Sequence, residues 1–156
     1  MKFVLANDHG GIDLEPVVKE KLEDLGHEVI HVGTFDKNSC DYSDFAVKAC
    51  EKIKAGEADF GVLICGTGLG MSISANKIKG IRAACVSEPF SAKMSRAHNN
   101  ANVLCLGARV IGSELCKMIV EEFATTDFEG DRHQRRIDKI SKIEENNWDF
   151  WSLYFY

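Results

Sequence analysis

The chain has 156 residues, 45% of them apolar, which is enough for one ordinary core and short for two domains of usual size. A formal charge of −5 argues against general nucleic-acid binding, which requires a basic face, so an anionic ligand would have to be captured by a local cluster. There is no apolar run long enough to span a bilayer, and "MKFVLANDHGG" has neither the apolar core nor the small-residue cleavage site of a signal peptide, so a cytoplasmic protein is expected.

Along the chain, short β-rich runs alternate with helical patterns. "KFVLA", "HEVIHV", "DFGVLIC", "IRAACV" and "NVLCLG" read as strands, and helices are expected over 11–25, 42–55, 70–79, 89–98, 112–124 and 131–146. Strand and helix alternating in this way predict an α/β protein, with a five-stranded parallel sheet covered on both faces. The only two prolines, Pro16 and Pro89, fall in or near first turns of helices, where a missing N–H costs nothing. With no linker or repeat in between, residues 1–146 are expected to form one domain. Residues 147–156 stand apart as a tail whose six aromatics between Trp148 and Tyr156 suit coverage of the domain or of a second subunit.

Six cysteines without CxxC spacing read as free thiols, most of them small buried hydrophobes, and the same lack of clustering disfavours a zinc site. His27 and His31 lie in a strand pattern, where residues four apart are roughly 13 Å distant and cannot share a metal.

In an open α/β sheet, ligands bind beyond the carboxyl ends of the strands. There the sequence places "NDHGG", "CGTGLG", "SEP" and "GARVIG". "GTGLGM" is a weak match to a dinucleotide fingerprint, because Met71 stands where a small residue is needed, and it is no Walker loop. What remains is a loop whose N–H groups can converge on an oxygen anion, with Cys65 at its mouth, where such groups stabilise a thiolate. A buried strand-end cysteine is the plain alternative.

Asp8 reads as a cap for the following helix or a substrate contact, and His9 as a ligand or an exposed loop histidine. His98 ends a helix, where an imidazolium suits the dipole, and Asn99 could be its C-cap. Arg132 and Arg136 share a helix face beside His133 and suit a phosphate or plain solvation, with Arg109 as a third charge.

Taken together, "DHGG", "DYSDFA", "GVLICGTGLGMSISANK", "GIRAACVSEPFSAKMSRAHNNANVLCLGARVIG" and "GDRHQRR" resemble the type B ribose-5-phosphate isomerase family, which includes the galactose-6-phosphate isomerase subunits, over roughly residues 1 to 145. The resemblance implies a three-layer Rossmann-like domain that forms homodimers or homotetramers with active sites shared between subunits, acts on a small sugar phosphate, and needs no cofactor or metal. It implies that Cys65 moves a proton between C1 and C2 of the open-chain sugar, and that Thr67 and the N–H groups of Gly66, Gly68 and Gly70 stabilise the enediolate. Asp8 and His98 would assist ring opening, Asn99 and Tyr42 would shape the sugar site, and His9, Arg109, Arg132 and Arg136 would hold the phosphate. Some members replace the cysteine by serine and use a loop glutamate, but residues 66–73 hold no carboxylate. Glu15, Ser43 and the aromatic tail depart from the family pattern without touching this chemistry. A six-carbon sugar phosphate such as allose 6-phosphate or galactose 6-phosphate is the alternative substrate, a non-catalytic sugar-phosphate module is a weaker alternative, and a redox-sensing thiol protein is disfavoured for want of a resolving cysteine.

Overall fold

The structure is a computed structural model that describes residues 1–145; the aromatic segment expected to act as a tail lies outside them. Five strands, β1 (Lys2–Asn7), β2 (Glu28–His31), β3 (Phe60–Cys65), β4 (Ala83–Cys85) and β5 (Val103–Gly107), alternate with α1 (Glu15–Asp24), α2 (Tyr42–Lys54), α3 (Leu69–Ala75), α4 (Pro89–Ala97) and α5 (Ser113–Thr125); α6 (Asp131–Glu144) follows. The strands pair in the order β2-β1-β3-β5-β4, every pair parallel. This is the α/β layout that the alternating sequence pattern predicts.

Why the central strands read as continuous apolar runs follows from their two buried faces. Phe3, Leu5, Val62, Ile64, Leu104 and Leu106 point to one side and pack with Val18 and Leu22 of α1, Ala92 of α4, and Ile119, Val120 and Phe123 of α5. Their neighbours Val4, Ala6, Leu63, Cys65, Val103 and Cys105 point to the other side, against Ala46, Ala49 and Cys50 of α2 and Met71 and Ala75 of α3. The period of two therefore splits one apolar string into two cores, and truncating a fully buried leucine such as Leu104 in either would cost about 2–5 kcal/mol.

Several boundaries differ from expectation for local reasons. Residues 11–14 form turns before α1, because Pro16 sits at the start of the helix and Leu14 is its N-cap. The helix expected over 70–79 ends at Ala75. Beyond it, the Asn76 side chain takes the place of a backbone partner for Ala83, donating to its carbonyl at 2.8 Å and accepting from its N–H at 2.9 Å. Among the cysteines, Cys50, Cys65, Cys105 and Cys116 are buried as expected, whereas Cys85, at the end of a short edge strand, is exposed and Cys40 is half-buried. All six are free. No helix of the described residues is long and apolar enough to cross a membrane.

Strand order also decides where a ligand can enter. From β1 the chain moves outward to β2, then crosses back to place β3 on the other side of β1, so the loops leaving β1 and β3 diverge to opposite faces. A crevice must open between them at their carboxyl ends.

Candidate active site

That crevice is a cavity of about 240 Å³ lined by Asp8, His9, Gly10, Tyr42, Cys65, Gly66, Thr67, Gly70 and Arg109. Every one except Gly10 was singled out in the sequence. Gly68 is not on its wall but in the loop behind it.

The cavity floor is built by close backbone approach. Asp8 N–H donates to the Ile64 carbonyl at 3.2 Å and ties the loop after β1 to β3. A Cβ on Gly11 would come within 2.6 Å of the same carbonyl oxygen, and one on Gly107 within 2.7 Å of Thr67 backbone. Only glycine lets these segments touch. Asp8 is buried, and its Oδ1 accepts the Gly10 N–H at 2.8 Å, closing a tight turn. It does not cap α1, whose N-cap Leu14 lies farther on. The helix-cap alternative for Asp8 is thereby corrected.

Cys65 ends β3 with its thiol on the α2/α3 side, 4% exposed, and Sγ accepts the Gly68 N–H at 3.1 Å. That bond requires the loop to turn back on itself, which Gly68 permits with φ +79°. Leu69 N–H is directed at Thr67 Oγ1 at 3.4 Å, so the threonine hydroxyl proton is free to point elsewhere. Gly70 opens the first turn of α3, where backbone N–H groups lack intrahelical acceptors. The Tyr42 ring lies against Gly70 so closely that an added Cβ would be 2.8 Å from two ring carbons. On the other wall, the Arg109 guanidinium covers Gly66, at 3.4 Å from where its Cβ would stand. The thiol thus borders both the apolar core and a cavity that holds the Arg109 guanidinium and the Asp8 carboxyl.

His9 is oriented from outside the cavity: its Nδ1 accepts the Cys40 N–H at 3.2 Å. An acceptor at Nδ1 leaves Nε2 as the protonated nitrogen of the neutral ring, a donor available to an anion.

The remaining candidates, His98, Asn99, Arg132 and Arg136, do not line this cavity. They gather where α4 ends and α6 begins. His98 is the C-cap of α4, and Asn100, with φ 45°, makes the left-handed turn, so the cap role considered for Asn99 is filled by His98. Arg96 holds this corner, donating from Nη1 to the Ala101 carbonyl at 2.7 Å and to Asn100 Oδ1 at 2.8 Å, while its guanidinium stacks on Phe60 at 4.4 Å. Arg82 Nε donates to the carbonyls of Asn99 and Asn100 at 3.1 and 3.0 Å. Sequence reasoning passed over both arginines, whose signal is only that a basic residue falls on a buried helix face or in a strand. Asn99 itself lines a larger cavity, about 790 Å³, beside Ile81, Ile140 and Ile143.

The His98 and His133 rings stack at 4.1 Å and 4°, and Glu129 Oε2 is 3.5 Å from Nε2 of each. Burial, together with the charges of His98, Arg132 and Arg136, holds His133 below the ordinary histidine range, with Glu129 opposing. Ligand atoms of the three lie within 4.8 Å of one another, a spatial grouping that sequence spacing does not reveal. Arg132 Nε, 3.3 Å from His133 Nε2, and exposed Arg136 on the same helix make the surroundings suited to an anion.

Comparison with known proteins shows the family. The family model for Ribose/Galactose Isomerase matches residues 3–140. Ribose-5-phosphate isomerase B of Escherichia coli is 46% identical over 144 residues, covering 92% of this chain and 97% of that protein. The structure of Clostridium thermocellum ribose-5-phosphate isomerase B is 47% identical and superposes with a TM-score of 0.91 over 95% of this chain and all of that one. The Mycoplasma genitalium ribose-5-phosphate isomerase B structure, with ribulose 5-phosphate bound, is 43% identical with a TM-score of 0.86 over 92% of this chain and 96% of that one. With its sheet, its loops and its sequence all matching along nearly the whole length, the chain belongs to the ribose/galactose isomerase family.

Proposed function

We propose that the chain interconverts ribose 5-phosphate and ribulose 5-phosphate through an enediolate, with Cys65 as the base. The observation that carries this reading is the Cys65 thiol bonded by the Gly68 N–H at the mouth of a cavity that also presents Thr67, Asp8 and Arg109. The thiolate takes the C2 proton of the open-chain aldose while the C1 carbonyl becomes an enediolate oxygen. Returning that proton to C1 while the C2 hydroxyl proton passes to the C1 oxygen yields the ketose, with its C1 hydroxyl and C2 carbonyl. Thr67 Oγ and the loop N–H groups of Gly66 and Gly70 supply preorganised donors for the oxyanion, which is where enzymes gain most, while the Gly68 N–H is committed to the sulfur rather than to the oxyanion. His9 Nε2 and the Arg109 guanidinium suit the phosphate, Tyr42 walls the sugar, and the carboxylate of Asp8 is placed to move a hydroxyl proton during ring opening.

His98, Asn99, Arg132 and Arg136 are read as the other half of a site shared across a homodimer or a larger homo-oligomer. They form a cation-rich, anion-seeking patch away from the cavity of their own chain, and among the described residues that cavity offers a dianion a single guanidinium, Arg109, beside the neutral donor of His9. His98 would then open the sugar ring of the partner, and the two α6 arginines would clamp its phosphate. The reading invokes no cofactor or metal and assigns the reaction to the cytoplasm. Incubation with ribose 5-phosphate should yield ketose at a rate unchanged by a chelator; absence of ketose would sink the reading.

A further inference from the structure

If His98 opens the ring, something must hold its imidazole, because a half-exposed side chain at a helix end is otherwise free to rotate. Its exposure is 35%, and among the described residues no hydrogen bond is made by Nδ1. Two neighbours restrict it. His133 lies flat against the ring, and since its own Nε2 faces the Arg132 N–H at 3.3 Å, that nitrogen carries a lone pair rather than a proton. Glu129 Oε2 lies 3.5 Å from Nε2 of each ring, and with the His133 nitrogen already turned to Arg132 the carboxylate is left as the charge partner of His98. Glu129 is anchored by its backbone, whose N–H donates to the Ala97 carbonyl at 3.0 Å, one residue before His98. Carboxylate, ring and helix end thus form one unit, faced also by the positive charges of Arg132 and Arg136.

The geometry points to Glu129 and His133 as positioning residues for His98: the carboxylate holds Nε2 and the stacked ring sets the plane, leaving Nδ1–H of the protonated ring to give its proton to the sugar's ring oxygen while Asp8 takes the proton of the anomeric hydroxyl. This rests on the proposed isomerase reading, and it deepens that reading by separating ring opening from proton transfer. The two steps can be measured apart. Ribose 5-phosphate is cyclic in water and must be opened, whereas ribulose 5-phosphate, with its C5 oxygen esterified, cannot close a five-membered ring and enters open.

In the full chain, Glu129→Gln should lower kcat from ribose 5-phosphate about tenfold, with KM within about twofold. The same variant should exchange the C1 hydrogen of ribulose 5-phosphate with D₂O, followed by proton NMR, within about twofold of the unsubstituted protein. His133→Ala should act in the same direction, and His133→Phe, which keeps a flat ring for stacking, should recover most of the loss. Equal loss of both activities in Glu129→Gln, or loss of neither, would overturn the assignment. Failure of the underlying reading looks different: Cys65→Ala would then retain the exchange that the thiol is proposed to perform.

Discussion

The crevice between β1 and β3 and the corner joining α4 to α6 carry comparable numbers of polar candidates but are built in opposite ways. In the crevice, positions are set by backbone touching backbone: Gly11 against Ile64, Gly107 against Thr67, Gly68 turning its N–H onto a buried thiol. At the corner, positions are set by long side chains on the surface, with Arg132 and Arg136 exposed and His98 half-exposed. The first is assembled by backbone contacts within one chain; the second displays charge outward, away from the crevice of its own chain. On the proposed reading, the proton passing between adjacent carbons is assigned to the close-packed crevice, where little displacement is tolerated, while the corner adds ring opening and further cations for the phosphate that His9 and Arg109 meet in the crevice.

The largest break of this contrast comes from Cys65→Ala, which should lower kcat by about 10²–10⁴-fold while changing KM little, measured as ketose formed from ribose 5-phosphate. A loss below about tenfold would move the base elsewhere. Next come the glycines. Gly107→Ala and Gly11→Ala place a methyl carbon within 2.6–2.7 Å of backbone atoms, and should cost about 1–3 kcal/mol in urea unfolding as well as activity. Gly80→Ala, with φ +84° but open space around it, should destabilise by about 1 kcal/mol and leave kcat intact. Arg136→Ala sharpens the other side: KM should rise about tenfold or more at near-constant kcat, since the proposed role of this exposed guanidinium is to bind phosphate.

The smallest effect is one of pH. His31, half-buried and bonded through Nε2 to Asn7 at 2.8 Å, is held below the ordinary histidine range chiefly by burial, as is His133. The unfolded chain binds those protons more readily, so stability is present above about pH 6.5 and declines as pH falls below it. A thermal midpoint lower by a few degrees at about pH 5.5 than at pH 7.5 is expected, with a flatter profile in His31→Gln.

What the sequence makes legible follows the same division. Strand runs such as "GVLIC" and the loops after them locate the crevice, because apolar periodicity and glycine clusters are local signals; eight of its nine lining residues can be named without coordinates. The early end of α3 is not local, since it depends on Asn76 bonding Ala83 seven residues ahead. Nor is the role of Asp8 as a turn-closer rather than a helix cap, which depends on where Pro16 starts α1. The stack of His98 on His133, from residues thirty-five apart, has no sequence signature at all. Fold and cradle are thus read from adjacent residues, whereas the corner is assembled by tertiary packing.

The claim on which the rest depends is that the crevice of one subunit works with the corner of another, and subunit complementation addresses it directly. Cys65→Ala and Arg136→Ala chains, each with low activity at sub-saturating ribose 5-phosphate, are mixed under conditions that allow subunit exchange. In a random mixture half the dimers are mixed and one of their two sites is free of both substitutions, so activity should recover to about a quarter of the unsubstituted level. A mixture no more active than the mean of its two components would contradict the account, because it would mean that crevice and corner serve the same chain.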